Sequence, residues 1–244
     1  MFGRRVYGAG AIELVRGIIF DLDGVLCRTD GLHAVAWEEI ARREGIPFDP
    51  EDADRLRGVS RERSLEILLG RAERTYSAEE KAELCELKAT LFRASLSGLG
   101  PDDLSEGADR LLRECAGCGV RCAVASSSRN AGLILDRLGI TPRFAAVVDG
   151  NADCPPKPAP DPFLLAARRL GLPPGACVVI EDAAVGIEGA IAAGMRVVGI
   201  GRGEVVGGAD LVVGGLEELP LGRVLGLRRR AGAAVLQRSA ASRR

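Results

Sequence analysis

Two aspartates separated by one residue, Asp21 and Asp23, directly follow an apolar run at residues 15–20. Where the chain is still extended after a strand, side chains two positions apart point to the same side, so both carboxylates can act on one substrate. One can attack as a nucleophile while the other transfers a proton. A carboxylate pair in a loop is a weak signal by itself, because such groups usually only face water, so its meaning depends on the neighbouring groups.

Further polar groups follow later apolar runs, as hydroxyls, an amide, an ammonium and two carboxylates: Ser126, Ser127, Ser128, Asn130, Lys157, Glu181 and Asp182. In an open parallel sheet, ligands bind outside the carboxyl ends of the strands, so these groups are expected to converge. Oxygen ligands for Mg²⁺ and donors for phosphate oxygens are what metal-assisted phosphoryl transfer requires. The convergence predicts a Mg²⁺-dependent phosphoryl-transfer site with Asp21 as the nucleophile.

The elements that must position these groups alternate between short apolar runs and helical patterns. Six β-branched runs are predicted strands, at residues 15–20, 121–125, 145–148, 177–180, 196–200 and 211–213. Nearly continuous apolar strands are typical of a parallel sheet covered by helices on both faces. The predicted fold class is therefore α/β, with a Rossmann-like parallel sheet.

Strand patterns give way to helical ones between about residues 29 and 97, at 34–43, 61–69 and 78–96. Ser77 and Glu80 have the spacing of a capping box at the start of the third helix. We predict a Rossmann-like core at 1–28 and 98–225, interrupted by an inserted α-helical cap domain at 29–97. Residues 226–244 are Arg-rich without an acidic residue, and a flexible basic tail is favoured there over a nucleic-acid arm.

Four segments resemble, in order and spacing, the motifs of the haloacid dehalogenase superfamily: FDLDGV at 20–25, the serine cluster from Ser126, KPAP at 157–160, and Glu181-Asp182. The resemblance implies an aspartyl-phosphate enzyme with Asp21 as nucleophile and Asp23 as acid/base. It implies that Lys157 and Ser126 hold the transferring phosphate. The Mg²⁺ ligands it implies are Asp21, the carbonyl of Asp23, Glu181 and Asp182.

The helical segment adds a resemblance to phosphosugar mutases of that superfamily, carried by Thr29, His33, Trp37, Gly58, Arg61, Lys88, the three serines 126–128 and Asn130. It implies that Arg61, Ser128 and Asn130 bind a second, distal phosphate. A guanidinium just after a glycine turn suits bidentate phosphate recognition, although Arg61 could also be a solvated helix start.

The same resemblance implies that His33, Lys88 and Thr29 position Asp23 as the cap closes and excludes water. His33 and Trp37 are four residues apart on a predicted helix and share a face, so a histidine packed on an indole is the structural alternative. Two positions depart from the resemblance. Arg129 replaces a lysine, and Arg28 stands where relatives commonly have an acid.

The expected reaction interconverts β-D-glucose 1-phosphate and D-glucose 6-phosphate through β-D-glucose 1,6-bisphosphate. A phosphatase of the sugar-phosphate or phosphoglycolate type is the alternative, since a phosphatase needs no second phosphate site. A phosphosugar sensor without activity ranks last, because every expected catalytic position is filled. The expected partners are small sugar phosphates, with no nucleic acid and no membrane, and a monomer is expected.

The composition supports the expectation that the protein binds neither nucleic acid nor a membrane. Lys and Arg number 33 against 34 Asp and Glu, so no overall charge attracts nucleic acid or an anionic membrane. Apolar runs stay well short of the roughly 20 residues that span a bilayer, and a cytoplasmic location is expected. Seven cysteines are predicted to be reduced thiols; Cys115, Cys118 and Cys122 suggest zinc only weakly, because a second CxxC pair is missing and His33 is the only histidine.

Overall fold

A parallel β-sheet organises the protein, whose computed structural model describes residues 14–228. Residues 1–13 and 229–244, with most of the predicted tail, lie outside the described residues. The strands are β1 (Gly17–Phe20), β2 (Arg121–Ala125), β3 (Ala146–Val148), β4 (Cys177–Glu181), β5 (Arg196–Ile200) and β6 (Leu211–Val213). They form one sheet in the order β3-β2-β1-β4-β5-β6, and all neighbours are parallel. The predicted Rossmann-like α/β fold is confirmed.

Helices surround this sheet in the described range. They are α1 (Asp30–Arg43), α2 (Pro50–Arg55), α3 (Arg61–Leu69), α4 (Ala78–Ser95), α5 (Ala108–Gly117), α6 (Ala131–Arg137), α7 (Asp161–Leu170), α8 (Ala184–Ala192), α9 (Gly203–Val206) and α10 (Leu221–Leu225). Short 3-10 turns lie at Leu96–Gly98, Pro101–Asp103, Thr141–Arg143, Pro174–Ala176 and Leu216–Glu218. Among residues 14–228, none of the helices is both long enough and apolar enough to cross a membrane.

The sheet is buried on both faces, as its continuous apolar runs predict. On β1, Ile18 and Phe20 belong to one apolar cluster and Ile19 to another, and all three side chains are fully buried. Successive side chains of a strand point to opposite faces, so each face of the sheet carries its own apolar layer. The two layers hold the central strands, and with them the loops at their carboxyl ends, in fixed positions.

The helical insert, defined as residues 30–95, contains α1 to α4 and lies between β1 and β2 in the chain. It has an apolar cluster of its own that includes Trp37, Ile40, Leu65 and Leu68. This matches the helical segment expected from the sequence, while the exact domain boundaries remain a prediction.

Two helices of the insert differ from the sequence-based prediction. The helix α1 begins at Asp30, four residues before the predicted start, because Asp30 favours the positive N-terminal end of the helix dipole. The helix α2 was not predicted, since its sequence PEDADR has no apolar periodicity. The capping box at α4 is confirmed: the amide of Ser77 donates to Glu80 at 2.8 Å and the amide of Glu80 donates to Ser77 at 3.2 Å.

We expect Ile19→Ala to destabilise the fold by about 2–5 kcal/mol, because it removes a fully buried side chain from the central strand and leaves a cavity. Val35→Ala is the matched control: that side chain on α1 is 62% exposed, so its loss should change stability by less than about 0.5 kcal/mol. Urea unfolding followed by circular dichroism measures both. Equal midpoints for the two variants would contradict the assigned core.

Candidate active site

The central strands bring the predicted catalytic groups to one edge of the sheet. Phe20 pairs with Val124 of β2 and with Ile180 of β4, so the residues that follow these three strands are neighbours. Asp21 follows β1 directly, and its amide donates to the carbonyl of Ile180 at 2.9 Å. The predicted convergence at the carboxyl ends is therefore present in the structure.

Lys157 joins two of the carboxylates. Its Nζ donates to Asp21 Oδ1 and to Glu181 Oε1, each at 2.5 Å, and all three side chains are nearly inaccessible to solvent. Burial works against the charge on Lys157, but the two carboxylates outweigh it and raise the pKa of the ammonium. Burial also raises the pKa of Asp21 above its ordinary value, and Lys157 opposes that shift. The lysine thus keeps the predicted nucleophile oriented and stabilises its ionised form.

The residues present fit a divalent cation. Asp21, Glu181 and Asp182 each offer one carboxylate oxygen, and these oxygens lie within 4.8 Å of one another. Oδ1 of Asp182 is buried and has no hydrogen-bond partner among the described residues. Such an oxygen costs free energy unless a cation satisfies it, and carboxylate oxygens are the ligands that Mg²⁺ prefers.

Glu181 is held more rigidly than the other two acids. Its Oε2 accepts hydrogen bonds from the amides of Asp182 at 2.9 Å and Ala183 at 3.0 Å. A Cβ at Gly186 would overlap the Glu181 carboxylate, so the first turn of α8 can approach it only with glycine at that position. Glu181 therefore anchors the acidic cluster to the end of β4.

Asp23 lies in a separate hydrogen-bond network on the side of the insert. Thr29 Oγ1 donates to Asp23 Oδ1 at 2.5 Å, His33 Nε2 is 3.4 Å from the same oxygen, and Ser126 Oγ lies 3.4 Å from Oδ2. Burial works against the charge of Asp23, but His33, Thr29 and Lys88 outweigh it and lower the pKa of this carboxyl. Asp23 is therefore ionised and ready to accept a proton.

Thr29 occupies the N-cap position of α1, yet its hydroxyl makes no cap hydrogen bond. The hydroxyl instead joins Asp23 to Cys27, whose Sγ is 3.2 Å away. Burial raises the pKa of the Cys27 thiol to about 12, so it stays neutral. A capping side chain normally contributes about 1 kcal/mol to its helix. Here that group is directed to Asp23 instead.

Lys88 and His33 extend the network into the insert. The Nζ of Lys88 is 2.7 Å from His33 Nδ1, and the imidazole stacks on Phe92 with ring centroids 3.8 Å apart. Burial lowers the pKa of Lys88 to about 7, and burial also lowers the pKa of His33. A neutral His33 accepts a hydrogen bond from Lys88 and presents its other ring N–H to Asp23. The structural alternative considered for His33 involved Trp37; in the structure its stacking partner is Phe92.

The insert docks on the sheet next to the acidic cluster. Ser127 Oγ donates to the carbonyl of Gly58 at 2.8 Å, and Arg129 pairs with Glu62 at 2.8 Å. Gly58 has a φ of +71°, and a Cβ there would lie 2.7 Å from the Cβ of Ala183. Only glycine combines this backbone conformation with so close an approach. Gly58 is thus a contact point between insert and core.

A cavity of about 140 Å³ lies between the insert and the strand ends. Its walls include nine of the predicted catalytic and substrate-binding residues: Asp23, His33, Trp37, Gly58, Arg61, Lys88, Ser127, Ser128 and Asn130. Ser126 and Lys157 line an adjoining cavity, and Arg61 and Ser127 border both. Asp21, Thr29, Glu181 and Asp182 line neither cavity, and each of them is 5% exposed or less.

The predicted anchors of a distal phosphate lie together at this cavity. The side chain of Arg61 is 11% exposed and lies 3.5 Å from Glu86. In the loop after β2, Ser126 Oγ accepts from the amide of Ser128 at 3.0 Å, and Ser128 Oγ accepts from the amide of Asn130 at 3.2 Å. These bonds fix the loop beside Arg61. Arg28, one of the two departures from the resemblance, is exposed.

Ser64 and Arg57 are among the cavity residues that the sequence analysis missed. Ser64 on α3 is only 2% exposed and borders the cavity. Its position one turn after Arg61, on the same helix face, is a signal that could have identified it. Arg57 contacts Asp182 across 125 residues of sequence, which no local pattern indicates.

The sheet, the insert and the acidic cluster define a haloacid dehalogenase-type fold and site. A family model for haloacid dehalogenase-like hydrolases matches residues 15–194, and the chain belongs to this family.

The chain is also similar to individual members of this family. The chain is 44% identical to a β-phosphoglucomutase of Bacillus subtilis (strain 168), over 85% of this chain and 92% of that protein. The crystal structure of a β-phosphoglucomutase from Clostridium difficile superposes with a TM-score of 0.83 at 32% identity, covering 86% of this chain and 96% of that one. A fructose-1-phosphate phosphatase of Escherichia coli (strain K12) is 32% identical, over 77% of this chain and 97% of that protein.

We expect Mg²⁺ to stabilise the protein more at about pH 8 than at about pH 6. Burial and the neighbouring Glu181 raise the pKa of Asp182 to about 7, against the effect of Arg57. A carboxyl with a raised pKa keeps its proton in the folded state, so folding stability falls as pH rises from the unfolded value toward about 7. Below about pH 7, Mg²⁺ must displace the proton from Asp182. Above that pH the carboxylate is already ionised, so Mg²⁺ binds without displacing a proton.

Thermal unfolding of EDTA-treated protein with and without excess Mg²⁺, at both pH values, measures this effect. Asp182→Asn is the control, because it removes the titrating ligand and should abolish most of the Mg²⁺-induced shift. An equal shift in the parent protein at both pH values would contradict the assignment of Asp182.

Proposed function

We propose that this protein interconverts β-D-glucose 1-phosphate and D-glucose 6-phosphate through β-D-glucose 1,6-bisphosphate. The observation that carries the proposal is that Arg61, Ser128 and Asn130, which could bind a second phosphate, line the same cavity as Asp23. A mutase needs such a site because its intermediate carries two phosphates. The similarity to two β-phosphoglucomutases over most of the chain supports the same reaction.

In the proposed cycle, phosphorylated Asp21 donates its phosphoryl group to the 6-hydroxyl of β-glucose 1-phosphate. The hydroxyl proton passes to Asp23, whose lowered pKa keeps the carboxylate ionised, so that a free oxygen is available for that proton. The O6–P bond forms as the bond from phosphorus to the Asp21 oxygen breaks. The products of this step are the bisphosphate, a free Asp21 carboxylate and protonated Asp23.

The bisphosphate then turns around in the cavity. Asp21 attacks phosphorus at the 1-position, Asp23 returns its proton to the leaving O1, and glucose 6-phosphate is released with Asp21 phosphorylated again. Lys157, whose Nζ donates to Asp21 at 2.5 Å in this structure, orients the nucleophile. Mg²⁺, when bound by Asp21, Glu181 and Asp182 with the Asp23 carbonyl, supplies positive charge against the phosphoryl oxygens. Arg61 binds whichever phosphate is not reacting.

The helical insert supplies the groups that favour transfer to sugar over transfer to water. His33 and Lys88 reach Asp23 from the insert, and Gly58 brings the insert against Ala183. A docked insert excludes water from the phosphoryl group, which limits hydrolysis. The second candidate, a sugar-phosphate phosphatase, is favoured by one observation, the 32% identity to a fructose-1-phosphate phosphatase.

We expect the purified protein with Mg²⁺ and a trace of the bisphosphate to convert the β-anomer of glucose 1-phosphate, read by a coupled assay for glucose 6-phosphate. Asp21→Asn should abolish turnover and the acid-stable phosphorylated chain, because the amide cannot attack phosphorus. Mass spectrometry of acid-quenched protein measures the latter. Free release of phosphate without any glucose 6-phosphate would contradict the mutase and favour the phosphatase.

We expect Arg61→Ala to lower kcat/KM for the mutase reaction roughly 30- to 1,000-fold, because one phosphate of the intermediate loses its charged partner. This corresponds to a loss of about 2–4 kcal/mol in transition-state stabilisation. Arg63→Ala is the matched control, since that exposed arginine lies two residues away on the same helix. Initial rates with the β-anomer measure both variants. If Arg61→Ala keeps full activity, the second phosphate site is misassigned and a phosphatase with a small substrate is favoured.

A further inference from the structure

Arg57 is the insert residue that reaches furthest into the acidic cluster. It lies just before Gly58, and its guanidinium contacts three carboxylates: Asp182 at 3.1 Å, Asp54 at 3.2 Å and Asp30 at 3.3 Å. Asp54 and Asp30 belong to the insert, whereas Asp182 belongs to the core. Arg57 is therefore a charged tether between the two.

The two carboxylate oxygens of Asp182 have different surroundings. Its Oδ2 accepts the hydrogen bond from Arg57, whereas its buried Oδ1 has no partner among residues 14–228. Asp182 also belongs to the group of carboxylates that includes Asp21 and Glu181. Because Arg57 occupies Oδ2, Oδ1 is the oxygen left for a cation. One carboxylate thus offers separate oxygens to a guanidinium and to a divalent cation, so the two do not compete for the same atom.

We propose that Arg57 and the divalent cation, both bound through Asp182, weaken each other's binding. Arg57 is then a positioning residue that couples metal loading to docking of the insert. The inference rests on the metal site of the proposed function and not on the identity of the sugar.

Electrostatics determines the sign of this coupling. Two cations that share one carboxylate repel each other, and Asp182 is only 5% exposed, so solvent screens the repulsion poorly. Arg57 has an alternative when its attraction to Asp182 is reduced, because Asp54 and Asp30 remain in contact with it. Coupling between two binding events is reciprocal. Metal binding should therefore loosen the insert, and removal of Arg57 should strengthen metal binding.

Calorimetric titration of EDTA-treated, full-length protein with Mg²⁺ at low ionic strength, and at about pH 8.5 so that protons do not compete for Asp182, tests the inference. Arg57→Ala should bind Mg²⁺ about five- to tenfold more tightly than the parent protein, a typical size for coupled sites. Arg57→Lys keeps the charge and should restore much of the parent affinity. Arg55→Ala is the matched control: this neighbouring arginine is exposed, pairs with Glu51 and Asp52 in the insert, and should leave the affinity unchanged.

Hydrogen exchange gives a second readout that a purely structural role would not change. In the parent protein, Mg²⁺ should increase amide exchange in residues 50–61, because the tether weakens. In Arg57→Ala these amides should exchange faster at the outset and respond little to Mg²⁺. Circular dichroism checks that each variant folds, and Arg57→Gln replaces Arg57→Ala if the latter does not.

The outcomes separate this inference from the proposed function. If Arg57→Ala binds Mg²⁺ equally or more weakly while the parent binds it, the coupling is overturned and the metal site stands. Mg²⁺-induced protection of residues 50–61 in the parent protein overturns it as well. A parent protein that binds no Mg²⁺ overturns both the inference and the metal-dependent mechanism.

Discussion

The crowding of carboxylates at the carboxyl end of the sheet is the constraint on which the rest of the site depends. Asp21, Glu181 and Asp182 are each 5% exposed or less, and their nearest oxygens lie within 4.8 Å. Buried charges of one sign repel strongly and must be paired. Lys157 is the buried cation between two of them, and Arg57 reaches the third from the insert. The charge of the core is thus balanced partly by the insert.

The insert also sets the protonation of Asp23. His33 and Lys88 lower the pKa of Asp23 from across the cavity, while their own pKa values are lowered by burial. The proposed nucleophile, Asp21, is oriented by core residues, whereas the proposed proton acceptor, Asp23, is contacted from the insert by residues of α1 and α4. Thr29, at the junction between core and insert, gives up helix capping to donate to Asp23. Docking of the insert and ionisation of Asp23 therefore depend on the same contacts.

Most of the sheet could be predicted from sequence because its strands are nearly continuous apolar runs; β2, β5 and β6 have the predicted bounds. The motif residues after β1, β2 and β4 converge because these strands are parallel neighbours, so their carboxyl ends lie at the same edge of the sheet. The helix α2 could not be predicted, since its stability comes from the capping box of Asp49 and Asp52 rather than from an apolar face. The predicted monomer and cytoplasmic location remain predictions.

Ion pairs and hydrogen bonds between residues far apart in the sequence could not be predicted from local sequence patterns. Two partners of Arg57, Asp30 and Asp182, are separated from it by 27 and 125 residues, and only the folded chain brings them together. The same holds for His33 and Lys88, which lie on different helices. In the proposed mechanism, the core motifs carry phosphoryl transfer, and contacts made by the insert position the group that takes the proton. Because those contacts need a docked insert, the proposed mechanism favours transfer to a bound sugar hydroxyl over transfer to water.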